Sequence, residues 1–530
     1  MRCSAAGSAG TSGWPRSCTC RRPVSSHRRC GRSSARSAPC GAPRTRWIAG
    51  TRRTSRRARR SPSATYPCRS PRRPPSRPPS PRSTVPVLSP VRHTLSNGLR
   101  VVVSQDPTVP VAAVCLGYTV GSCDEPHSRT GLAHLVEHLM FQGSTQVPAG
   151  RHTAAIEDAG GYTNAATGFE RTTFHSIVPV GQLELVLWLE ADRMGGLLDA
   201  LTAESLATQR DVVLNERRER YDNVPYGTGW EQLVAMSFPA GHPFRAMPAG
   251  SPEDLRAVTL DDCRSFFSRH YTPDGAILSV VGDVRPETVF DVAERHFGHI
   301  PPSGAAASPA ARCVAPLTPT GPNESRRHVV EPVPGPAFMA TYQLPPYGEP
   351  GCAAADLAVT LLGGMSSRGL HDRLVRRGRR AHTARASLTP LRRAPSLGQL
   401  NVRAPAGVAL ADVERAVDEE IEYLAGGGAT EAALAGARAQ IRRDWYDRLA
   451  HPASRADELC AQEAYFGDAT RCDRHLASVL DVQASDVSAA ADELLTPARR
   501  AVLTYEPGPA RSPFAQATPA QARPALSPTS

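Results

Sequence analysis

The chain begins to alternate between apolar and polar positions only at Val91. From there RHTLSNGLRVVVSQ carries two alternating runs around Ser96-Asn97-Gly98, the signature of a β-hairpin. Val109 to Val120 reads as a buried strand. Gly131 to Ser144, GLAHLVEHLMFQGS, is strongly apolar, and its Leu132, Leu135, Val136, Leu139 and Met140 predict a buried helix. His152 to Ala159 is helical, Tyr162 to Pro179 gives two strands around Thr167-Gly168, and Gly181 to Leu198 has a helix period. Thr202 opens a further helix, and helices over Leu260–His270 and Glu287–Phe297 flank the strand AILSVVGDV.

Pro301 to Asn323 loses this periodicity and is rich in Ala, Pro, Gly, Ser and Thr, which predicts a linker. Beyond it a similar order returns. Strands are expected near His328–Pro332 and Pro336–Pro345, then a helix from Cys352, the strand GQLNVRAP, Ala-rich helices over Leu410–Leu424 and Glu431–Arg448, and the strand AVLTYEP. That order predicts a divergent second copy of the first unit. The expected limits are an extension over 1–88, a first domain over 89–302, a linker over 303–325, a second domain over 326–508 and a tail over 509–530.

Composition changes the picture at the N-terminus. Residues 1–85 hold 21 arginines, no Asp or Glu and few large apolar side chains, so this segment is expected to be disordered. Removing it leaves 62 − 21 = 41 basic residues against all 50 acids, a body near −9 despite the +12 of the whole chain. A nucleic-acid footprint is therefore not expected in the folded part. The segment has no apolar run of about 7–15 residues, as a secretory signal needs, and proline breaks any amphipathic presequence. The chain contains no lysine, which suggests GC-rich coding, and the segment reads as translated upstream sequence or a dispensable extension. Six of the 13 cysteines lie in it and the rest are scattered, so neither a disulfide framework nor a paired zinc pattern is expected. With no membrane-length apolar stretch, the expected location is the bacterial cytoplasm, with the mitochondrial matrix as the alternative.

The candidate chemistry lies in the apolar helix. His134-x-x-Glu137-His138 places two imidazoles at i and i+4, on one helix face, with a carboxylate at i+3 beside them. Two histidines on zinc and a carboxylate base are what amide hydrolysis by an activated water requires. Two hydrogen-bonded core histidines with Glu137 as their partner satisfy the same spacing, so the motif alone leaves both readings open.

The text around the motif bears on that choice. SRTGLAHLVEHLMFQGS, GYTNAATGFERTTFHSIVP, QRDVVLNERRERYDNVPYG, AGHPF and LSVVGDV resemble the pitrilysin/insulinase family of zinc peptidases, whose histidines and glutamate come in this inverted order. The resemblance is to its short bacterial members, related to mitochondrial processing peptidase subunits. It runs from about Val91 to about Glu506 and thins in the second half.

The resemblance implies an α+β fold of two homologous domains, each an antiparallel sheet with helices on one face, facing each other as a clamshell. It implies Glu216, in Val212-Val213-Leu214-Asn215-Glu216, as third ligand of one Zn2+ per chain. It implies Asn164 and Ala165 on an edge strand that pairs with an extended peptide, and Arg376 as a substrate contact. Two positions depart from the family pattern: Gln209 stands where a supporting glutamate is usual, and His382 where a tyrosine is usual. The expected function is a zinc-dependent endopeptidase of peptides or unfolded polypeptides, with Glu137 as base. The alternative is a non-catalytic or partner-dependent subunit of a heterodimeric processing-type peptidase. A homodimer, or a heterodimer with a related subunit, is expected.

Overall fold

The computed structural model describes residues 88–303 and 325–509. The 1–88 extension, the 303–325 linker and the 509–530 tail lie outside these residues except at their ends. Among the described residues the strands form two sheets. The first contains β1 (Val91–Thr94), β2 (Arg100–Gln105), β3 (Val111–Tyr118), β4 (Tyr162–Thr167), β5 (Thr172–Pro179) and β6 (Ala276–Gly282), in the order β1-β2-β6-β3-β5-β4. The second contains β7 (Ser325–Glu331), β8 (Ala337–Leu344), β9 (Thr383–Thr389), β10 (Ser396–Arg403) and β11 (Arg500–Pro507), in the order β7-β11-β8-β10-β9.

Without β1 the two orders are the same. The pairings repeat as well: β2 runs parallel to β6 as β7 runs parallel to β11, and the other neighbours are antiparallel. The predicted second copy is therefore present. The fold is α+β with two repeated units, but the sheets are mixed and not antiparallel as expected, because β2 lies parallel to β6 and β7 parallel to β11.

Helices cover both faces of each sheet, which explains why the central strands read as continuous apolar runs. On β3, Val114, Leu116 and Tyr118 enter the first unit's own core, while Ala113 and Cys115 face the opposite side. There they meet Leu459, Cys460 and Ala464 of the Pro452–Phe466 helix, which belongs to the second unit. The exchange is reciprocal. On β8, Phe338, Ala340 and Tyr342 enter the second unit's core, while Met339 meets Leu233 of the Gly229–Ser237 helix of the first unit. Gly117 permits the close approach, since a Cβ there would stand 2.4 Å from Cys460 Sγ.

Neither crossing helix was anticipated from the sequence. The Pro452–Phe466 helix nevertheless carries the usual boundary marks, Pro at its start and Gly467 at φ 65° just past its end. Ion pairs reinforce the exchange: Arg92–Glu463 at 2.7 Å, Arg455–Asp106 at 2.8 Å and Arg171–Asp457 at 3.1 Å. The cysteines among the described residues are free and buried. Among the described residues no helix is long and apolar enough to cross a membrane.

Candidate metal centre

The motif helix runs over Leu132–Leu139 and is buried along its whole length. It opens on Gly131 at φ 91°, a backbone conformation that favours glycine. Gly131 and Ala133 donate their backbone N–H groups to the Glu125 side chain at 2.9 and 2.8 Å, so an acidic residue satisfies two of the unpaired donors at the start of the helix. The second contributing helix, Ala203–Arg217, is capped by Thr202, which accepts from the Ser205 N–H. Leu206, Val213 and Leu214 anchor it in the first core, and Glu216 projects from its last turn.

These two helices bring His134, His138 and Glu216 together. One ligand atom from each lies within 4.8 Å of the others. His138 Nε2 is 3.4 Å from Glu216 Oε2, and His134 Nε2 is 4.0 Å from Glu216 Oε1. Donors on a tetrahedral zinc with bonds of about 2.0–2.2 Å stand about 3.4 Å apart, so this set needs only a small closure to hold such an ion.

His134 supplies a second test. It is 2 % exposed, and neither ring nitrogen has a hydrogen-bond partner. Leaving buried polar atoms unpaired costs about 1–3 kcal/mol, and a cation at the cluster would satisfy one of them. Burial, aided by His138, lowers the His134 pKa to about 3, so the ring is the neutral form a metal requires. Burial raises the Glu216 carboxyl, but His138, His134 and Arg220 together outweigh it and hold the group below the usual range. The donor set therefore fits zinc, and the reading of the histidines as hydrogen-bonded core residues finds no partners for His134.

Glu137 is fully buried beside the cluster. The Thr167 hydroxyl donates to its Oε2 at 2.5 Å. Thr167 ends β4, the outer strand of its sheet, whose other flank has no strand partner among the described residues. Asn164 and Ala165 lie on this edge strand, opposite His175 and Phe174 of β5, with the Ala165 side chain buried. The expected edge location is thus observed for both.

Arg376 belongs to the second unit. It is 58 % exposed, with Asp372 at 3.9 Å, on a short helical segment over His371–Arg377 that packs into the second core through Leu374. His382 is exposed and precedes β9 in the same unit. Gln209 is buried on the helix that carries Glu216.

Two residues were missed in the sequence. Arg220 stands in the charged run Arg217-Arg218-Glu219-Arg220, which marks no single residue out, yet its guanidinium lies 2.6 Å from Glu216 Oε1. The i,i+4 spacing from Glu216 was an available signal. Thr167 reads as a turn residue, and nothing local announces its bond to Glu137.

Comparison with known proteins gives a consistent picture. Residues 100–233 match the insulinase family (peptidase family M16), and residues 257–441 match the peptidase M16 inactive domain. An uncharacterised zinc protease of Mycobacterium tuberculosis is 30% identical over 422 residues, covering 79% of this chain and 93% of that protein. The zinc protease PqqE of Helicobacter pylori is 36% identical over 205 residues, 38% of this chain and under half (46%) of that protein. The crystal structure of a protease from Helicobacter pylori superposes with a TM-score of 0.72 at 26% identity, covering 79% of this chain and 100% of that one.

Proposed function

The chain belongs to the insulinase family, peptidase family M16, and from that premise we propose that it is a zinc-dependent endopeptidase of peptides and unfolded polypeptides. The observation that carries this reading is the buried His134–His138–Glu216 cluster with Glu137 beside it. His134, His138 and Glu216 would hold the ion. When bound, zinc polarises a scissile carbonyl and lowers the pKa of water towards about 7.

The remaining work falls to the chain. Glu137 takes a proton from the attacking water and returns it to the leaving amine, a role within general acid–base reach. The open flank of β4 aligns an extended peptide through main-chain hydrogen bonds, which supply affinity with little demand on sequence. Asn164 and Ala165 lie on that strand, whose last residue, Thr167, bonds to the base. Purified chain should hold one zinc and cut a quenched fluorescent peptide. A chelator should abolish cleavage and added zinc restore it. Zinc-loaded chain that cuts nothing would contradict the reading.

A departure from the family's sequence pattern favours a second reading, in which another chain completes the site. His382 stands where the family usually has a tyrosine, so a substrate contact absent from this second unit would come from a neighbouring copy or a related subunit. Specific activity that falls on dilution, or that arises only on mixing two chains, would support it. Activity that is constant across a dilution series of monomer would exclude it.

A further inference from the structure

The Thr167–Glu137 hydrogen bond joins the proposed base to the proposed substrate strand. Both side chains are fully buried. The carboxylate only accepts, so the hydroxyl must donate, and an O–H···O⁻ bond of 2.5 Å is of the strong, charge-assisted kind. The nearby Thr172 hydroxyl lies 3.5 Å from Thr167 Oγ1 and gives its own proton to the Val120 carbonyl at 2.9 Å. The single Thr167 proton is therefore committed to Glu137.

The oxygen of Thr167 is itself held in place. Thr167 is β-branched and sits in a strand, where its χ1 is restricted. The turn that follows is tied on both sides: Gly168 donates its N–H to the Arg171 carbonyl at 2.8 Å, and Ser122 and Cys123 donate theirs to the Gly168 and Phe169 carbonyls at 3.1 and 2.9 Å. Beyond the turn, Glu170 accepts the Arg392 backbone N–H at 3.0 Å and also that of Arg393, and Arg393 pairs with Asp124 at 2.9 Å. The second unit thus clasps the turn that follows Thr167.

We propose that Thr167 is a positioning residue for Glu137, whose hydroxyl sets the carboxylate's orientation relative to the edge strand that carries the substrate. The role rests on the peptidase reading above. A peptide paired along β4 is placed in register with Ala165 and Thr167, so the strand that aligns the scissile bond also aims the base. Loss of this hydrogen bond gives the carboxylate more freedom about its last torsion, and a misplacement of about 1 Å at a reacting group costs up to about 100-fold in rate.

The test compares wild type with Thr167→Val and Thr167→Ser in the full chain, each with its zinc content measured. Thr167→Val should keep its zinc, hold KM within about twofold and lose about 10- to 100-fold in kcat. Thr167→Ser, which restores the hydroxyl, should recover kcat to within about threefold of wild type. Crystal structures provide a readout independent of activity: Glu137 should bond to Thr167 in wild type and turn away or split into two orientations in Thr167→Val. If Thr167→Val does not fold, Thr167→Ala carries the same expectations. An unchanged kcat, a loss confined to KM, or an unmoved carboxylate in the variant crystal overturns the proposal. If wild type cuts no peptide, the peptidase reading fails, and the carboxylate's place in the two crystals still decides the positioning role.

Discussion

The helix that carries the cluster and its counterpart in the second unit start alike and are filled differently. Leu132–Leu139 opens on Gly131 at φ 91°, and Cys352–Val359 opens on Gly351 at φ 84°. Counted from those glycines, His134, Glu137 and His138 correspond to Ala354, Leu357 and Ala358. The helices behind them also match, one capped by Thr202 and the other by Thr430. Counted from those caps, Asp444 takes the place of Glu216, and it pairs with its neighbour Arg443 instead of completing a cluster. Strand order, helix start and cap are thus common to both units, while the metal donors occur in one. The scaffold sets where a site can be, and a few side chains decide whether there is one.

The largest effect should come from removing a donor in the first unit. His134→Ala should lower bound zinc from about one to under about 0.1 per chain and abolish cleavage, because two donors do not make a structural or catalytic zinc site. Elemental analysis of the dialysed protein reads this directly. Next in size is the converse, writing the motif into the second unit as Ala354→His with Leu357→Glu and Ala358→His. Leu357 is fully buried in the second core, so an acid there should cost about 4–5 kcal/mol in urea unfolding. No second zinc should bind, since Asp444 faces elsewhere. A folded chain with two zinc ions would break the comparison.

Smaller changes sharpen it. Gln209→Glu restores the charge that the sequence pattern lacks behind the third ligand, and should tighten zinc about tenfold in a chelator competition. Asp356 stands in the second unit where Val136 stands in the first. Burial raises its carboxyl to about 6, with Arg448 opposing. The unfolded chain ionises the same group near about pH 4, so the folded state binds the extra proton between those values. Stability from this group is full below about pH 4 and is lost as pH rises through 6. Asp356→Asn should therefore gain about 1–2 kcal/mol at pH 7.5 and nothing at pH 4, read as the difference in urea midpoints.

The first unit was legible where periodicity or local chemistry wrote it down. The Ser96-Asn97-Gly98 hairpin, the helix over His134–His138 and the helix opened by Thr202 all stand where alternation, apolar content and capping place them. Glu216 was visible only through family resemblance, because its own stretch reads as a charged surface. The crossing helices were hidden for a different reason. What they bury belongs to the other unit, and no local pattern names a distant partner. Arg193 shows the same limit: an arginine in a helix reads as surface, yet it is buried against Glu190 with its guanidinium 4.0 Å from the Phe174 ring. β9 was missed because its arginine-rich approach, LVRRGRRAHTARA, masks a short strand.

Cleavage of a quenched fluorescent peptide by wild type beside Glu137→Gln, with zinc measured in both, tests the central claim most directly. Glu137→Gln keeps the shape and removes the base, so it should retain one zinc and lose at least about 100- to 10,000-fold in kcat. Equal cleavage by both zinc-loaded proteins would contradict the assignment of Glu137. Two zinc-loaded proteins that both fail to cut would contradict a self-sufficient peptidase.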